Sequence, residues 1–123
     1  MKTALVIEDN ENNLELITFI LHASGYATRC AMNGLDGVRE ALRERPDFIL
    51  LDIQLPDIDG IEVARRIRAS ESGLPVPMIA VTSFAMAGDR ERVLAAGCNG
   101  YIEKPIDPMR VMTQIEDVLA RTP

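Results

Sequence analysis

The chain reads as an α/β protein: a (βα)5 doubly wound, parallel, five-stranded sheet. Three observations predict this. Five short apolar runs alternate with five helical patterns, the order that builds parallel βαβ units. Four of the runs end at polar, reactive residues, as strands do when their carboxyl ends open on a ligand crevice. And 123 residues with 47% apolar content suit one domain with one core.

The first run, Ala4 to Ile7, ends at Glu8-Asp9. A helix from about Asn12 to Ser24 follows, with Leu14, Ile17 and Leu21 at helical spacing and Gly25 as its stop. The second run, Tyr26 to Cys30, is the least apolar and reads as an edge strand. The second helix, about Gly34 to Glu44, aligns Leu35, Val38 and Leu42, and Pro46 follows its end. The third run, Phe48 to Leu51, leads straight into Asp52 and a loop, Gln54 to Gly60, that holds Pro56. The third helix, about Gly60 to Ala69, offers Ile61, Ala64 and Ile67. The fourth run, Val76 to Val81, ends at Thr82-Ser83. The fourth helix, about Ala85 to Ala96, has a thin apolar stripe, because Arg90 interrupts the face of Met86 and Val93. A weakly anchored helix suits a moving part; ordinary surface packing is the plain alternative. The fifth run, Gly100 to Glu103, ends at Lys104-Pro105. The fifth helix starts with Asp107 as N-cap and Pro108 at N1, and aligns Met112, Ile115 and Leu119. The chain stops about two residues later, so a single domain, residues 1–123, with no output domain is expected.

A net charge of −6 argues against a nucleic-acid surface. Arg65, Arg66 and Arg68 are the densest basic group, and with Glu62 beside them they read as a solvated helix face. No run approaches the roughly 18 apolar residues of a membrane span. No signal peptide precedes the first strand, so a cytoplasmic location is expected. Cys30 and Cys98 fit a reducing compartment and read as small buried hydrophobes. One histidine and no CxxC exclude a zinc constellation. His22 lies on a helix away from the strand ends and reads as a surface or boundary residue.

The strand ends gather Glu8, Asp9, Asp52, Thr82 and Lys104 in one crevice. Three carboxylates need a cation, and Mg²⁺ is the hard ion that oxygen ligands suit. A hydroxyl and an ammonium beside them suit phosphoryl oxygens. A carboxylate such as Asp52 can attack phosphorus directly.

This constellation resembles the receiver domain of two-component response regulators, the CheY-like superfamily, from Met1 to Pro123. The matching pieces are Glu8-Asp9-Asn10, Asp52, Pro56, Asp59-Gly60, Thr82-Ser83 and Tyr101-Ile102-Glu103-Lys104-Pro105, in family order. Asp52 to Pro56 and Thr82 to Met86 look most like stand-alone cell-cycle regulators of the DivK type. They are also similar to receivers attached to hybrid sensor kinases.

The resemblance implies the flavodoxin-like strand order 2-1-3-4-5 and a set of roles. Asp52 is the phosphorylation site. Asp9, Asp52 and the main-chain carbonyl of Gln54 bind Mg²⁺, and Glu8 acts through a metal-bound water or orients it. Many receivers carry Asp where Glu8 stands; a cap for the first helix is the alternative reading of Glu8. Lys104 pairs with Asp52 before reaction and then meets the phosphoryl oxygens, aimed by a cis peptide bond to Pro105. Thr82 donates its hydroxyl and Tyr101 fills the space it vacates, which makes them the switch pair. Pro56, Asp59-Gly60 and Pro105 are structural. Gln54 and Phe84 border the path of the attacking water, and a shielding Phe84 implies slow self-hydrolysis; the alternative is that Phe84 packs into the fourth helix.

The chain has no GxxxxGK[ST] loop and no kinase Gly-rich loop. The phosphoryl group is therefore expected from a phosphohistidine on a sensor histidine kinase or histidine phosphotransferase. That partner docks near Asn13, Leu14, Ile17, Pro105 and Ile106. Output passes to a downstream protein through the fourth helix, fifth strand and fifth helix, including Met86, Arg90, Tyr101, Glu103 and Met109. The expected protein is a monomer, without nucleic-acid or membrane partners, that catalyses only its own phosphoryl transfer and dephosphorylation. Two other readings are weaker. A phosphatase of the haloacid dehalogenase type needs a second acid that Asp52-Ile53-Gln54 lacks. A degenerate receiver would have lost a site residue, and none is missing.

Overall fold

The computed structural model describes residues 1–83 and 87–122. Strands and helices alternate as β1 (Thr3–Ile7), α1 (Glu11–Ala23), β2 (Ala27–Ala31), α2 (Gly34–Arg43), β3 (Phe48–Asp52), α3 (Gly60–Ser70), β4 (Met78–Thr82), α4 (Ala87–Ala95), β5 (Gly100–Glu103) and α5 (Val111–Arg121). The strands form one parallel sheet in the order β2-β1-β3-β4-β5. Both the doubly wound class and the strand order match the sequence reading, with β2 at the edge.

Burial explains the order. Ala4–Ile7, Phe48–Leu51 and Met78–Val81 are buried along their length, as central parallel strands covered on both faces must be. In β2 only Ala31 is buried. Successive side chains alternate between two cores. Leu5, Ile7, Ile49, Leu51, Met78 and Ala80 face one cluster, completed by Ala41, Val63, Ile67 and Val93 of α2, α3 and α4. Val6, Phe48, Leu50, Ile79 and Ile102 face the other, completed by Ile17, Leu21, Val111 and Ile115 of α1 and α5. Among the described residues, three helix starts carry side-chain caps. Asn10 accepts from the Asn13 N–H, Asn33 from Asp36, and Asp59 from Glu62.

Several elements differ from the sequence reading. In α2, Leu35 and Leu42 are exposed, and the buried residues are Gly34, Gly37 and Ala41. Close approach is the reason: a Cβ at Gly37 would stand 2.6 Å from Ile7 Cδ1. Helix α5 begins at Val111, and Asp107 caps the turn before it by accepting from the Met109 N–H at 2.9 Å. Its buried stripe is Val111, Ile115 and Val118, with Met112 and Leu119 at the margin. Two stripes one residue apart fit the same helical spacing, and packing on the sheet selects between them.

Cys98 is buried, and burial pushes its thiol up to about 12. Cys30 is exposed on the edge strand, where it opens on a hollow beside α1, and is corrected from a buried residue. Arg66 pairs with Glu62 at the surface (2.9 Å), but Arg68 departs from the solvated face. Its guanidinium donates to the Gly97 carbonyl at 3.0 and 2.8 Å and pairs with Glu71 at 2.9 Å. His22 is exposed, with Nε2 2.8 Å from Thr28 Oγ1. The expected start of the fourth helix, Ala85-Met86, lies outside the described residues, as does Phe84.

Candidate functional site

Register brings the carboxyl ends of four strands together. Ile7 pairs with Leu51, Asp52 with Val81, and Thr82 with Glu103. Glu8 directly follows β1, Asp52 ends β3, Thr82 ends β4 and Lys104 follows β5. Asp52 and Thr82 are each 3% exposed and Glu8 5%, whereas Asp9 sits exposed at the rim. One carboxylate oxygen from each of Glu8, Asp9 and Asp52 lies within 4.8 Å of the other two. Lys104 Nζ stands 3.2 Å from Glu8 Oε1 and 3.2 Å from Asp52 Oδ2. The Gln54 N–H donates to Asp52 Oδ1 at 3.0 Å. The helix-cap reading of Glu8 fails, because Asn10 caps α1.

Electrostatics follow from this crowding. Burial, and then the neighbouring Glu8 carboxyl, push Asp52 up to about 7 against the pull of the Gln54 N–H and Lys104. Burial also works to raise Glu8, but the Asp52 side chain and the Lys104 ammonium outweigh it and hold Glu8 low. Burial works to lower Lys104, and the two carboxylates outweigh it and raise it. Three acids around one ammonium leave surplus negative charge. Glu8 Oε2 is buried with no hydrogen-bond partner among the described residues. Hard oxygen donors with one orphaned oxygen match a small divalent cation.

The remaining residues flank this centre. The Lys104–Pro105 peptide bond is cis. Asn13, Ser83, Lys104, Pro105 and Ile106 line an open hollow beside the lysine. Leu14 is half-buried, but Ile17 is 2% exposed and packs on the sheet, so it is corrected from docking surface to core. Tyr101 is half-buried, and the Arg90 guanidinium lies over its ring, 4.7 Å from the centroid. Arg90, which reads in sequence as a gap in an apolar stripe, is thus a partner of the Tyr101 ring. Arg90, Glu103 and Met109 are exposed, and Met86 lies outside the described residues. One contact has no short-range signature: Asp57 accepts from the Gly34 and Leu35 N–H groups, more than twenty residues away.

The model of the response regulator receiver domain matches residues 4–116. The chain belongs to that family. This receiver domain is 43% identical to the polar-differentiation response regulator DivK of Brucella anthropi over 118 residues, 96% of each chain. It is 39% identical to the receiver domain of the sensor histidine kinase PA1611 from Pseudomonas aeruginosa, which holds a magnesium ion in its active-site cleft. That match covers 97% of this chain and 98% of the other, with a TM-score of 0.87. The chemotaxis regulator CheY4 of Vibrio cholerae superposes with a TM-score of 0.90 over 96% of this chain and 98% of its own; at 22% identity it shares the fold. Two-component signalling is therefore the setting of this receiver domain. Among its described residues, no helix is long and apolar enough to cross a membrane.

Proposed function

We propose that this receiver domain accepts a phosphoryl group from a phosphohistidine onto Asp52, with Mg²⁺ held by the acid cluster, and that phosphorylation switches a protein contact. The observation that carries the reading is the buried Asp52 carboxylate, packed among Glu8, Asp9, Thr82 and Lys104 at four strand ends. Asp9, Asp52 and the Gln54 carbonyl would hold the ion, with Glu8 reaching it through water or orienting that water. The bound ion supplies positive charge against the phosphoryl oxygens.

The chain's own residues do the rest. An Asp52 oxygen attacks phosphorus in line. The new P–O bond forms as the P–N bond breaks, and the imidazole nitrogen leaves with the electron pair. Lys104 transfers its hydrogen bonding from Asp52 to a phosphoryl oxygen. Thr82 donates its hydroxyl to another, and Tyr101 moves into the vacated space. Gln54 borders the path of the water that later hydrolyses the acyl phosphate. The domain catalyses only these steps on itself.

The donor is a sensor histidine kinase or histidine phosphotransferase, met through Asn13, Leu14, Pro105 and Ile106. Output leaves through Arg90, Tyr101, Glu103 and Met109, the last 90% exposed. The net charge of −6 supports the absence of nucleic-acid partners, and a cytoplasmic monomer is part of the same proposal. Full-length similarity to DivK supports a stand-alone regulator; the 39% match to a sensor-kinase receiver supports a receiver within a hybrid kinase as the second reading.

Incubation with acetyl phosphate and Mg²⁺, followed by intact-mass measurement, tests the site. One added phosphate is expected, absent without Mg²⁺ and absent in Asp52→Asn. Undiminished labelling of that variant overturns the assignment.

A further inference from the structure

Asp57 lies three residues beyond Gln54 in the loop between β3 and α3. Both of its carboxylate oxygens are engaged. Oδ1 accepts from the Gly34 N–H at 2.7 Å and Oδ2 from the Leu35 N–H at 2.8 Å. These are the first two N–H groups of α2, and a helix has no internal partner for them. The N-cap residue, Asn33, accepts from the Asp36 N–H at 2.8 Å and donates to the Asp36 carboxylate at 2.9 Å. The amino end of α2 is thus capped jointly by its own Asn33 and by a carboxylate from another loop, and a negative group is favoured there.

Packing at two glycines supports the same grip. A Cβ at Gly34 would stand 2.6 Å from Ile58 Cγ1 and 3.1 Å from the Ile58 carbonyl oxygen, so α2 lies directly against the residue after Asp57. At the other end of the loop, a Cβ at Gly60 would stand 2.6 Å from the Asp52 carbonyl oxygen and 2.6 Å from Ile53 Cα. The Gly60 N–H also donates to the Ile53 carbonyl at 2.8 Å. The loop is therefore clamped to the end of β3 on one side and to α2 on the other. Gln54 lies between the clamps, its N–H on Asp52 Oδ1.

We infer that Asp57 is a positioning residue for the cation site: by gripping α2 it holds the Gln54 peptide in place beside Asp52. The inference rests on the proposed role of the acid cluster and the Gln54 carbonyl in binding Mg²⁺.

The test is an NMR titration with magnesium chloride, following the amides of Asp9 and Gln54. Asp57→Ala should weaken Mg²⁺ binding by about tenfold, the scale of lost support behind metal ligands. Asp57→Asn, which keeps one acceptor oxygen, should fall between. Asp47→Ala is the control. Asp47 makes the same kind of bond, to the Thr3 N–H at 2.6 Å, at the far end of the sheet. It should lower the melting temperature without changing Mg²⁺ affinity. Equal Mg²⁺ affinity in Asp57→Ala and wild type, or equal weakening in Asp47→Ala, overturns the inference. A second readout needs no metal: in cation-free protein, Asp57→Ala should speed hydrogen exchange at Gln54. Unchanged protection of Gln54 overturns the clamp. Faster exchange in a protein whose wild type binds no Mg²⁺ retains the clamp and instead refutes the reading of the acid cluster.

Discussion

Replacing Asp52 by Asn should stabilise the cation-free protein, and the gain should depend on pH. The folded state moves the Asp52 carboxyl from 3.8 to about 7, through burial first and the Glu8 carboxyl second. Between those values the folded chain holds a proton that the unfolded chain has released. Stability from this group therefore falls as pH rises across that window and is level above it. A rise of about three units, at about 1.4 kcal/mol each, sets a ceiling of about 4 kcal/mol. Glu8 is shifted the opposite way and offsets part of this, so the gain falls below that ceiling. The amide has the carboxyl's shape and no charge, so it keeps the packing and removes the crowding. For a chain of this size each kcal/mol gained raises the melting temperature by about 3–6 °C. Thermal unfolding by circular dichroism in EDTA, near about pH 5 and near about pH 8, measures it: the gap between variant and wild type should widen at the higher pH. Added Mg²⁺ should stabilise the wild type more than the variant and close the gap. A wild type as stable as Asp52→Asn near pH 8, or a gap unchanged with pH, would refute the account of crowded carboxyls.

Gly60→Ala should lower stability by about 1–3 kcal/mol, because the atoms its Cβ meets are backbone and cannot turn aside. Urea unfolding measures that loss, and acetyl-phosphate labelling of Asp52 should weaken in the same variant. Arg68→Ala should cost about 2–3 kcal/mol by freeing the Gly97 carbonyl and Glu71. Arg68→Lys should not restore the urea midpoint, since an ammonium lacks the planar fork that makes two bonds to one carbonyl. Tyr101→Ala should weaken capture of the downstream protein in a pull-down with beryllium fluoride and leave labelling of Asp52 intact; the reverse pattern would mean that the two surfaces are not separate.

What the sequence discloses here depends on how local the physics is. Glu8, Asp52, Thr82 and Lys104 were legible because each ends or directly follows an apolar run. Once the strands are parallel in the order 2-1-3-4-5, those four ends are neighbours whatever the loops do. The caps Asn10, Asn33 and Asp59 are equally local, each satisfying an N–H three residues on. The face of α2 was misread because apolar spacing favoured Leu35 and Leu42, while close approach to Ile7 favours residues without bulk. Helix α5 was misread by one residue of phase, since Val111, Ile115, Val118 and Met112, Ile115, Leu119 are both helical stripes. Arg68, Arg90 and Asp57 lay further out of reach. Their partners, the Gly97 carbonyl, the Tyr101 ring and the first N–H groups of α2, stand on other elements. Nothing about an exposed Asp directly before Ile58-Asp59 marks it as a cap for a distant helix. That contact exists only because Gly34 lets α2 come within reach of the loop, so the residue that makes the clamp possible is the one with no side chain.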